Sequence, residues 1–276
     1  MFRKVVIVGV GQIGASLGMN LIARKMARDV VGIGRDPENL RVAMRKRAIH
    51  RVGSIRELPL QGPDDLIILA APVRTIRDLL KKMPKGPLII DVGSTKAAIV
   101  SEAKKRSLRF IGCHPIAGTE RPGAAGAEKD LFRGRVCVVT PSKGTSPKDA
   151  AAVAKLWKRL GSSVLRMAPE AHDRALAAFS HLPHVIAYSL IAQSPVASVP
   201  RSLFAGLGSF RSTTRVAASE PTMWRDIFLE NRKAVLAAVG RQAREFAALK
   251  KLIAKGDADG LLRYLSRAQA KRRSIP

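Results

Sequence analysis

The fold is decided near the start of the chain, by the stretch Val5-Val6-Ile7-Val8-Gly9-Val10-Gly11-Gln12-Ile13-Gly14. Its apolar first half predicts a buried strand, and the residues after the glycines predict a helix. Gly9 permits a tight turn, Gly11 lets the backbone approach a pyrophosphate, and Gly14 allows close helix packing. The helix N-terminus would face the anion. The stretch therefore predicts a dinucleotide site that includes Gly9, Gly11, Gln12, Ile13 and Gly14.

The following sequence alternates short apolar runs with amphipathic stretches, which is typical of a parallel sheet covered by helices. We expect strands at 4–8, 30–34, 66–70, 88–92, 109–113, 136–140 and 163–167. We expect helices between them at 12–27, 37–46, 74–82, 95–106 and 147–160. Beyond residue 168 only helices are expected, at 169–193, 200–218, 221–254 and 258–272. The prediction is an α/β protein with a Rossmann-type, mostly parallel sheet at 1–168 and an all-α domain at 169–276.

Composition sets limits on the class of protein. The chain has 276 residues, 46% of them hydrophobic, which is enough for two modest domains. Its net charge of +28 would suit an anionic partner, but the basic residues are spread along helix-like segments with few aromatics between them. We therefore expect no nucleic-acid partner. The first apolar run is too short to span a membrane and no export signal follows it, so a cytoplasmic protein is expected.

The choice between NAD and NADP depends on the end of the second predicted strand. A carboxylate there holds the ribose hydroxyls of NAD, whereas an arginine accommodates the 2′-phosphate of NADP. This chain has Gly34 at the usual acidic position, followed by Arg35 and Asp36. We favour NADP, with NAD as the alternative, in which Arg35 is solvated and Asp36 only caps the next helix. Ala71, after the strand at 66–70, is also assigned to the cofactor site.

Two polar residues follow predicted strands at the edge where open α/β sheets bind ligands. His114 lies in Gly-Cys-His-Pro-Ile-Ala-Gly-Thr-Glu, and Ser94 lies in Asp-Val-Gly-Ser-Thr-Lys. Imidazole suits proton transfer near neutral pH, so His114 is the candidate general base, although a solvated loop histidine is the simpler alternative. Ser94 could equally cap a helix. Cys113 should point away from His114 and pack in the core.

The helical part carries further candidates. His181 and His184 are close enough to share a helical face, but no Cys or carboxylate trio accompanies them, so no metal site is expected. The two cysteines, Cys113 and Cys137, form no Cys-x-x-Cys pair and should be reduced. An arginine of the segment 210–217 that entered an apolar cleft would clamp a carboxylate.

From residue 5 to about residue 272, the chain resembles the prephenate and arogenate dehydrogenases of tyrosine biosynthesis. The matching stretches are 9–14, Asp-x-Gly-Ser-x-Lys at 91–96, His-Pro-Ile-Ala-Gly-Thr-Glu at 114–120, Ser-His-Leu-Pro-His at 180–184, Thr-Arg at 214–215 and Met-Trp-Arg-Asp at 223–226. The resemblance implies a homodimer formed through the helical domain, with the active site in the cleft between domains. It also implies oxidative decarboxylation of prephenate to 4-hydroxyphenylpyruvate or of arogenate to tyrosine, and the residues do not decide which.

The resemblance also implies roles for individual residues. His114 would take the proton of the ring hydroxyl as hydride leaves for the nicotinamide, and Ser94 would hold the same hydroxyl. The resemblance implies that Arg215 binds the substrate carboxylate and that four further residues bind the substrate, His184, Ser180, Thr119 and Glu120. Trp224 could line the site or only fill the core.

Ser212 departs from the family pattern, because many relatives carry an acid there that forms an ionic gate with Arg215 and Glu120. Two alternatives stay open. One is an oxidoreductase like the β-hydroxyacid dehydrogenases or imine reductases, although the lysine they need is missing. The other is a non-catalytic NADP sensor.

Overall fold

A computed structural model describes residues 2–55, 58, 62, 64–118 and 121–275. Its central feature is an eight-stranded sheet with the order β3-β2-β1-β4-β5-β6-β7-β8. The strands are β1 (Phe2–Val8), β2 (Ala27–Ile33), β3 (Arg51–Val52), β4 (Leu66–Leu69), β5 (Leu88–Asp91), β6 (Phe110–Pro115), β7 (Val136–Thr140) and β8 (Ser163–Arg166). The order of the first six is that of a Rossmann sheet. The predicted fold class is confirmed.

The strands are nearly continuous apolar runs because helices cover both faces of the sheet. In β1, Val5 and Ile7 join the core on one face, while Val6 and Val8 join the core on the other. All seven predicted strands are present, and no end is shifted by more than three residues. The prediction missed β3, which has only two residues and so leaves no periodic signal.

Five helices cover the sheet: α1 (Gln12–Ala23), α2 (Pro37–Arg45), α3 (Val73–Leu80), α4 (Ala97–Lys105) and α5 (Pro147–Arg159). Each predicted helix differs from the structure at one or both ends, and two of these differences have a clear cause. The first helix ends at Ala23 rather than at residue 27, because Ala27 already pairs with Phe2 in the sheet. The fourth begins at Ala97 rather than at residue 95, because Lys96 and Ala97 donate their N–H groups to a side chain outside the helix.

The last two strands reverse the pattern of pairing. β6 pairs parallel to β5 through Phe110 and Ile111 and then antiparallel to β7 from Gly112 to Pro115. β8 is parallel to β7. His114 therefore lies where β6 has passed the end of β5, opposite Val138 of β7. This places it at the carboxyl edge of the parallel part of the sheet.

The chain beyond residue 168 is helical, as predicted. Its helices are α6 (Pro169–Leu176), α7 (Leu182–Gln193), α8 (Arg201–Gly206), α9 (Gly208–Thr214), α10 (Pro221–Glu230), α11 (Arg232–Ala254) and α12 (Ala258–Arg273). A π-helical turn, Ala177–His181, joins α6 to α7, and such turns are frequent at functional sites. The helix predicted at 221–254 is broken at Asn231, whose buried side chain bonds outside the helix, to Asp173 and His181.

The helical part leaves large apolar side chains exposed. Phe179 is 83% exposed, and Leu236, Phe246 and Ile253 are each more than half exposed. The segment Pro169–Gln193 is long and apolar enough to cross a membrane, with a mean hydropathy of 1.4. However, its His172 and His181 are buried polar groups bonded to neighbouring elements, which fits a helix of a folded domain better than a membrane span.

Candidate active site

The loop between β1 and α1 has the geometry of a dinucleotide site. Gly9 has a φ of +97°, and a Cβ atom there would lie 2.2 Å from the carbonyl oxygen of Ala70. A Cβ on Gly14 would lie 2.1 Å from the carbonyl oxygen of Gly9. Both positions therefore exclude every side chain. A Cβ on Gly11 would instead meet nothing within 4 Å, and no side chain caps α1 at this residue.

The open space at Gly11 and the uncapped helix N-terminus fit a pyrophosphate, which would accept hydrogen bonds from the backbone N–H groups. Ala71 adjoins this loop, because its backbone nitrogen lies 3.1 Å from the Cβ position of Gly9. Ile13 packs against the core and supports the loop from below. The structure thus gathers Gly9, Gly11, Gly14 and Ala71 around one space and places Ile13 behind it.

Gln12 performs a different task from the glycines. Its Nε2 donates to the carbonyl oxygen of Gly126 at 3.0 Å, which ties α1 to the segment that follows β6. The hydroxyl of Ser16 and the amide of Asn20 bond to the backbone of the same segment, at Glu128 and Lys129. The helix that would hold the dinucleotide is therefore fastened to the chain that leaves His114.

The end of β2 carries the residues expected to select the dinucleotide. Gly34 and Arg35 are exposed, and a Cβ on Gly34 would lie 3.2 Å from Leu40. The Asp36 side chain accepts from the N–H of Glu38 at 3.0 Å, so it caps α2. Among the described residues, Arg35 has neither a hydrogen bond nor an ion pair. Both alternatives for this segment thus hold in part: Asp36 is a cap, and Arg35 faces solvent beside a position without a carboxylate.

His114 and Ser94 lie at one edge of the sheet. Ser94 is half-buried in the loop after β5, and His114 is half-buried on the neighbouring strand β6. Lys96 holds the two segments together, since its fully buried ammonium forms an ion pair with Asp91 and donates to the carbonyl oxygen of Cys113 at 2.9 Å. Cys113 is fully buried in the core, as its place beside His114 on the strand predicts.

A chain of hydrogen bonds leads from His114 into the helical domain. His114 Nδ1 lies 2.8 Å from His172 Nε2, and His172 Nδ1 lies 2.8 Å from Asp173 Oδ1. The Asp173 carboxylate also accepts from the backbone N–H groups of Lys96 at 2.8 Å and Ala97 at 2.9 Å. It therefore caps α4 directly after the segment that carries Ser94. His172 is fully buried.

Burial shapes the charge state of this chain of groups. Burial, followed by the charges of His172, Lys96 and His181, lowers the pKa of His114 well below its usual value. Burial by itself would raise the pKa of Asp173, but hydrogen bonds from His172, Ala97 and Lys96 prevail and lower it. At neutral pH, His114 is therefore uncharged and able to accept a proton, while Asp173 is ionised.

Two candidate residues of the helical domain, Ser180 and His184, lie together beside Trp224. His184 Nδ1 lies 2.9 Å from the carbonyl oxygen of Ser180, and its ring stacks on Trp224 with centroids 3.4 Å apart. Burial lowers the pKa of His184, the bond to Ser180 opposes this shift, and the charge of Arg215 adds to it. The indole Nε1 of Trp224 is buried without a partner among the described residues. Thr119 and Glu120 lie outside the described residues.

Sequence reasoning missed His172, Asp173 and Asn231. Asn231 donates to the carbonyl oxygen of Asp173 at 2.8 Å and lies 3.2 Å from His181 Nδ1. The only signal in the sequence was the adjacent pair His172-Asp173, which does not stand out in a helix that also carries Glu170 and Arg174. Because His114 and His172 are 58 residues apart, no local pattern connects them.

A glycine loop shaped for a dinucleotide, together with an uncharged histidine whose hydrogen bond joins a Rossmann domain to a helical domain, defines a dinucleotide-dependent oxidoreductase. The family described as "Prephenate dehydrogenase, nucleotide-binding domain" matches residues 17–166, and "Prephenate dehydrogenase, dimerization domain" matches residues 168–267. The chain belongs to the prephenate dehydrogenase family. This membership sets aside both the β-hydroxyacid dehydrogenase-like and the non-catalytic alternatives.

Individual relatives agree with this assignment. The cyclohexadienyl dehydrogenase of Zymomonas mobilis is 32% identical over 100% of this chain and 97% of its own length. The crystal structure of prephenate dehydrogenase from A. aeolicus with hydroxyphenyl propionate and NAD+ is 33% identical, with a TM-score of 0.90 over 100% of this chain and 99% of that one. Synechocystis arogenate dehydrogenase is 28% identical, with a TM-score of 0.80 over 99% and 100% of the two chains.

Proposed function

We propose that this chain catalyses the oxidative decarboxylation of prephenate or arogenate with a nicotinamide dinucleotide as hydride acceptor. The observation that carries the proposal is the environment of His114. It is an uncharged imidazole at the ligand-binding edge of the sheet, and its Nδ1 is engaged by His172 at 2.8 Å. The relatives named above act on these two compounds or on cyclohexadienyl substrates, which supports the same reaction.

In this reaction His114 acts first as a general base and then as a general acid. His114 Nε2 accepts the proton of the ring hydroxyl as hydride leaves the ring carbon that carries this hydroxyl, and Ser94 holds the same hydroxyl in place. The bond between the ring and its carboxylate then breaks, and its electron pair restores an aromatic ring as CO2 departs. The proton returns to the ring oxygen, so no net proton is consumed. A bound nicotinamide supplies the hydride acceptor.

The side chain of the substrate is assigned to the helical domain. Arg215 would bind its carboxylate with a fork of donors, and Ser180 and His184 would line the pocket with Thr119 and Glu120. Ser212 removes the acid that relatives place three residues before Arg215. An ionic gate built on that acid is therefore not expected here.

For the dinucleotide we propose a preference for NADP over NAD. Gly34 leaves no carboxylate to repel a 2′-phosphate, and Asp36 is engaged as the cap of α2. Arg35 is exposed and has no partner among the described residues, so its guanidinium is available to a phosphate.

We further propose a homodimer that covers the exposed apolar faces of the helical domain, since the matching family describes this domain as a dimerisation domain. The two cysteines are free and buried, which suits a reducing, cytoplasmic compartment.

The experiment that tests the function is a set of initial rates of reduced nicotinamide formation, with prephenate and arogenate each crossed against NADP and NAD. His114→Asn should lower kcat by about 10²- to 10⁴-fold and leave dinucleotide affinity within about twofold. His50→Asn is the matched control, because His50 bonds only to groups of β2, at the far side of the sheet. Silence in all four combinations, or equal loss of turnover and affinity in His114→Asn, would refute the proposal.

A further inference from the structure

We propose that His172 and Asp173 are positioning residues that fix the tautomer of His114, so that its Nε2 faces the substrate as an unprotonated acceptor. The inference rests on the proposed function of His114 as a proton acceptor. It assigns a task to the helical domain beyond substrate binding, because both residues lie on α6 while His114 lies on the sheet.

The argument begins at Asp173. Its carboxylate accepts from three donors, the N–H groups of Lys96 and Ala97 and the ring of His172. An ionised carboxylate can only accept hydrogen bonds, so the facing nitrogen of His172, Nδ1, must carry a proton. Asn231 fixes the backbone of Asp173 from the break between α10 and α11, through a bond of 2.8 Å to its carbonyl oxygen. The Asp173 carboxylate is therefore held by three donors, and its backbone is held by Asn231.

The state of His172 determines the state of His114. With its proton on Nδ1, an uncharged His172 has a lone pair on Nε2. His114 Nδ1 lies 2.8 Å from that lone pair and must donate to it. The second nitrogen of an uncharged His114, Nε2, is then the one without a proton. Without this order of donors, the two tautomers of a histidine at pH 7 would compete, and the one protonated at Nε2 cannot accept a proton there.

The same chain of bonds serves the cationic state. When Nε2 takes the hydroxyl proton, the Nδ1 proton of His114 can move to His172 Nε2, which places the positive charge next to the Asp173 carboxylate. The shift reverses when the proton returns to the ring oxygen, so no group ends with a different proton count. Burial, followed by the charges of His172, Lys96 and His181, disfavours a cation on His114 itself. A charge displaced towards Asp173 lies against its counter-ion.

Asp173 also positions the second candidate catalytic residue. By capping α4 through Lys96 and Ala97, it fixes the segment that begins at Ser94. One carboxylate from the helical domain therefore sets both the donor direction of His114 and the place of the Ser94 hydroxyl. We expect the replacement of Asp173 to impair catalysis more than cofactor binding, since its bonds to Lys96 and Ala97 do not involve the glycine loop.

The direct test reads the tautomer of His114 by NMR of the full chain labelled with ¹⁵N-histidine, with the His114 signal assigned by its loss in His114→Asn. The wild type should carry the proton on Nδ1. Asp173→Ala should populate the tautomer with the proton on Nε2, because His172 then loses the acceptor that keeps its proton on Nδ1. Asp226→Ala is the control, since Asp226 is also a buried helical-domain acid but pairs with Arg225. A wild-type proton on Nε2, or no change in Asp173→Ala, would overturn the proposal.

A second pair of variants does not depend on the folding of Asp173→Ala. The Oε1 atom of Gln can take the place of His172 Nε2 as acceptor, so His172→Gln should keep kcat/KM within about tenfold, whereas His172→Leu should lose about 10²-fold or more at a similar Tm. Equal losses in both would overturn the proposal. The NMR test needs no substrate, so absence of turnover in the wild type would refute the proposed function alone.

Discussion

The clearest test of cofactor selection is the replacement of Arg35 by glutamine. A hydrogen bond to a charged group contributes about 1.5–3 kcal/mol, and the exposure of Arg35 to solvent favours the lower end. Since about 1.4 kcal/mol is a tenfold change, Arg35→Gln should raise the KM for NADP about tenfold. The KM for NAD, which lacks the 2′-phosphate, should change by less than about twofold.

The matched control is Arg28→Gln, which removes the same charge from the other end of β2. Arg28 is exposed near the amino end of this strand, whereas Arg35 follows its carboxyl end, and the strand between them separates the two by about 20 Å. Steady-state rates at fixed ionic strength, with each dinucleotide varied for the wild type and both variants, give the six KM values of interest. If Arg28→Gln matched the NADP effect, the net charge would be responsible, and if Arg35→Gln affected both dinucleotides alike, the assignment of the 2′-phosphate would be wrong.

Two further predictions concern the glycine loop and a buried histidine. Gly11→Ala should leave Tm nearly unchanged and weaken dinucleotide binding about tenfold in a titration, because its Cβ fills only the open space. Gly9→Ala should instead lower the free energy of unfolding by about 3 kcal/mol or more, because Gly9 has a φ of +97° and its Cβ would lie 2.2 Å from a carbonyl oxygen. Unaffected binding in Gly11→Ala would place the pyrophosphate elsewhere. Burial lowers the pKa of His181 from 6.5 to about 4, so the folded state binds fewer protons and stability should fall by about 3 kcal/mol as the pH drops through that window. In urea unfolding at pH 7 and pH 4, the free energy of unfolding of His181→Asn should change less with pH than that of the wild type. The same pH-dependent change in both proteins would contradict the burial argument.

Local sequence patterns were sufficient to predict much of this structure. The β7 strand was predicted with its observed bounds, because a short apolar run between turn residues has few other solutions. The loop at Gly9 could be predicted because its glycine spacing, between an apolar run and a helix, is a local pattern, although the contact of Gly9 with Ala70 is not. His114 was a candidate because it follows a predicted strand, and the family resemblance then implied its role.

The rest required contacts between distant parts of the chain. His172 and Asp173 form an unremarkable dipeptide until the fold brings α6 against β6 and α4. The break at Asn231 was missed for the same reason, since its amide bonds to residues of another helix.

The exposed apolar surface of the helical domain has a consequence for assembly. Within one chain α12 buries none of its described side chains, and α11 buries only Val235 and Ala238. A helix with little buried surface gains little from packing, so in the proposed homodimer a second subunit would supply much of the stability of this pair. That stability would then follow mass action, and the Tm of the helical domain would rise with protein concentration.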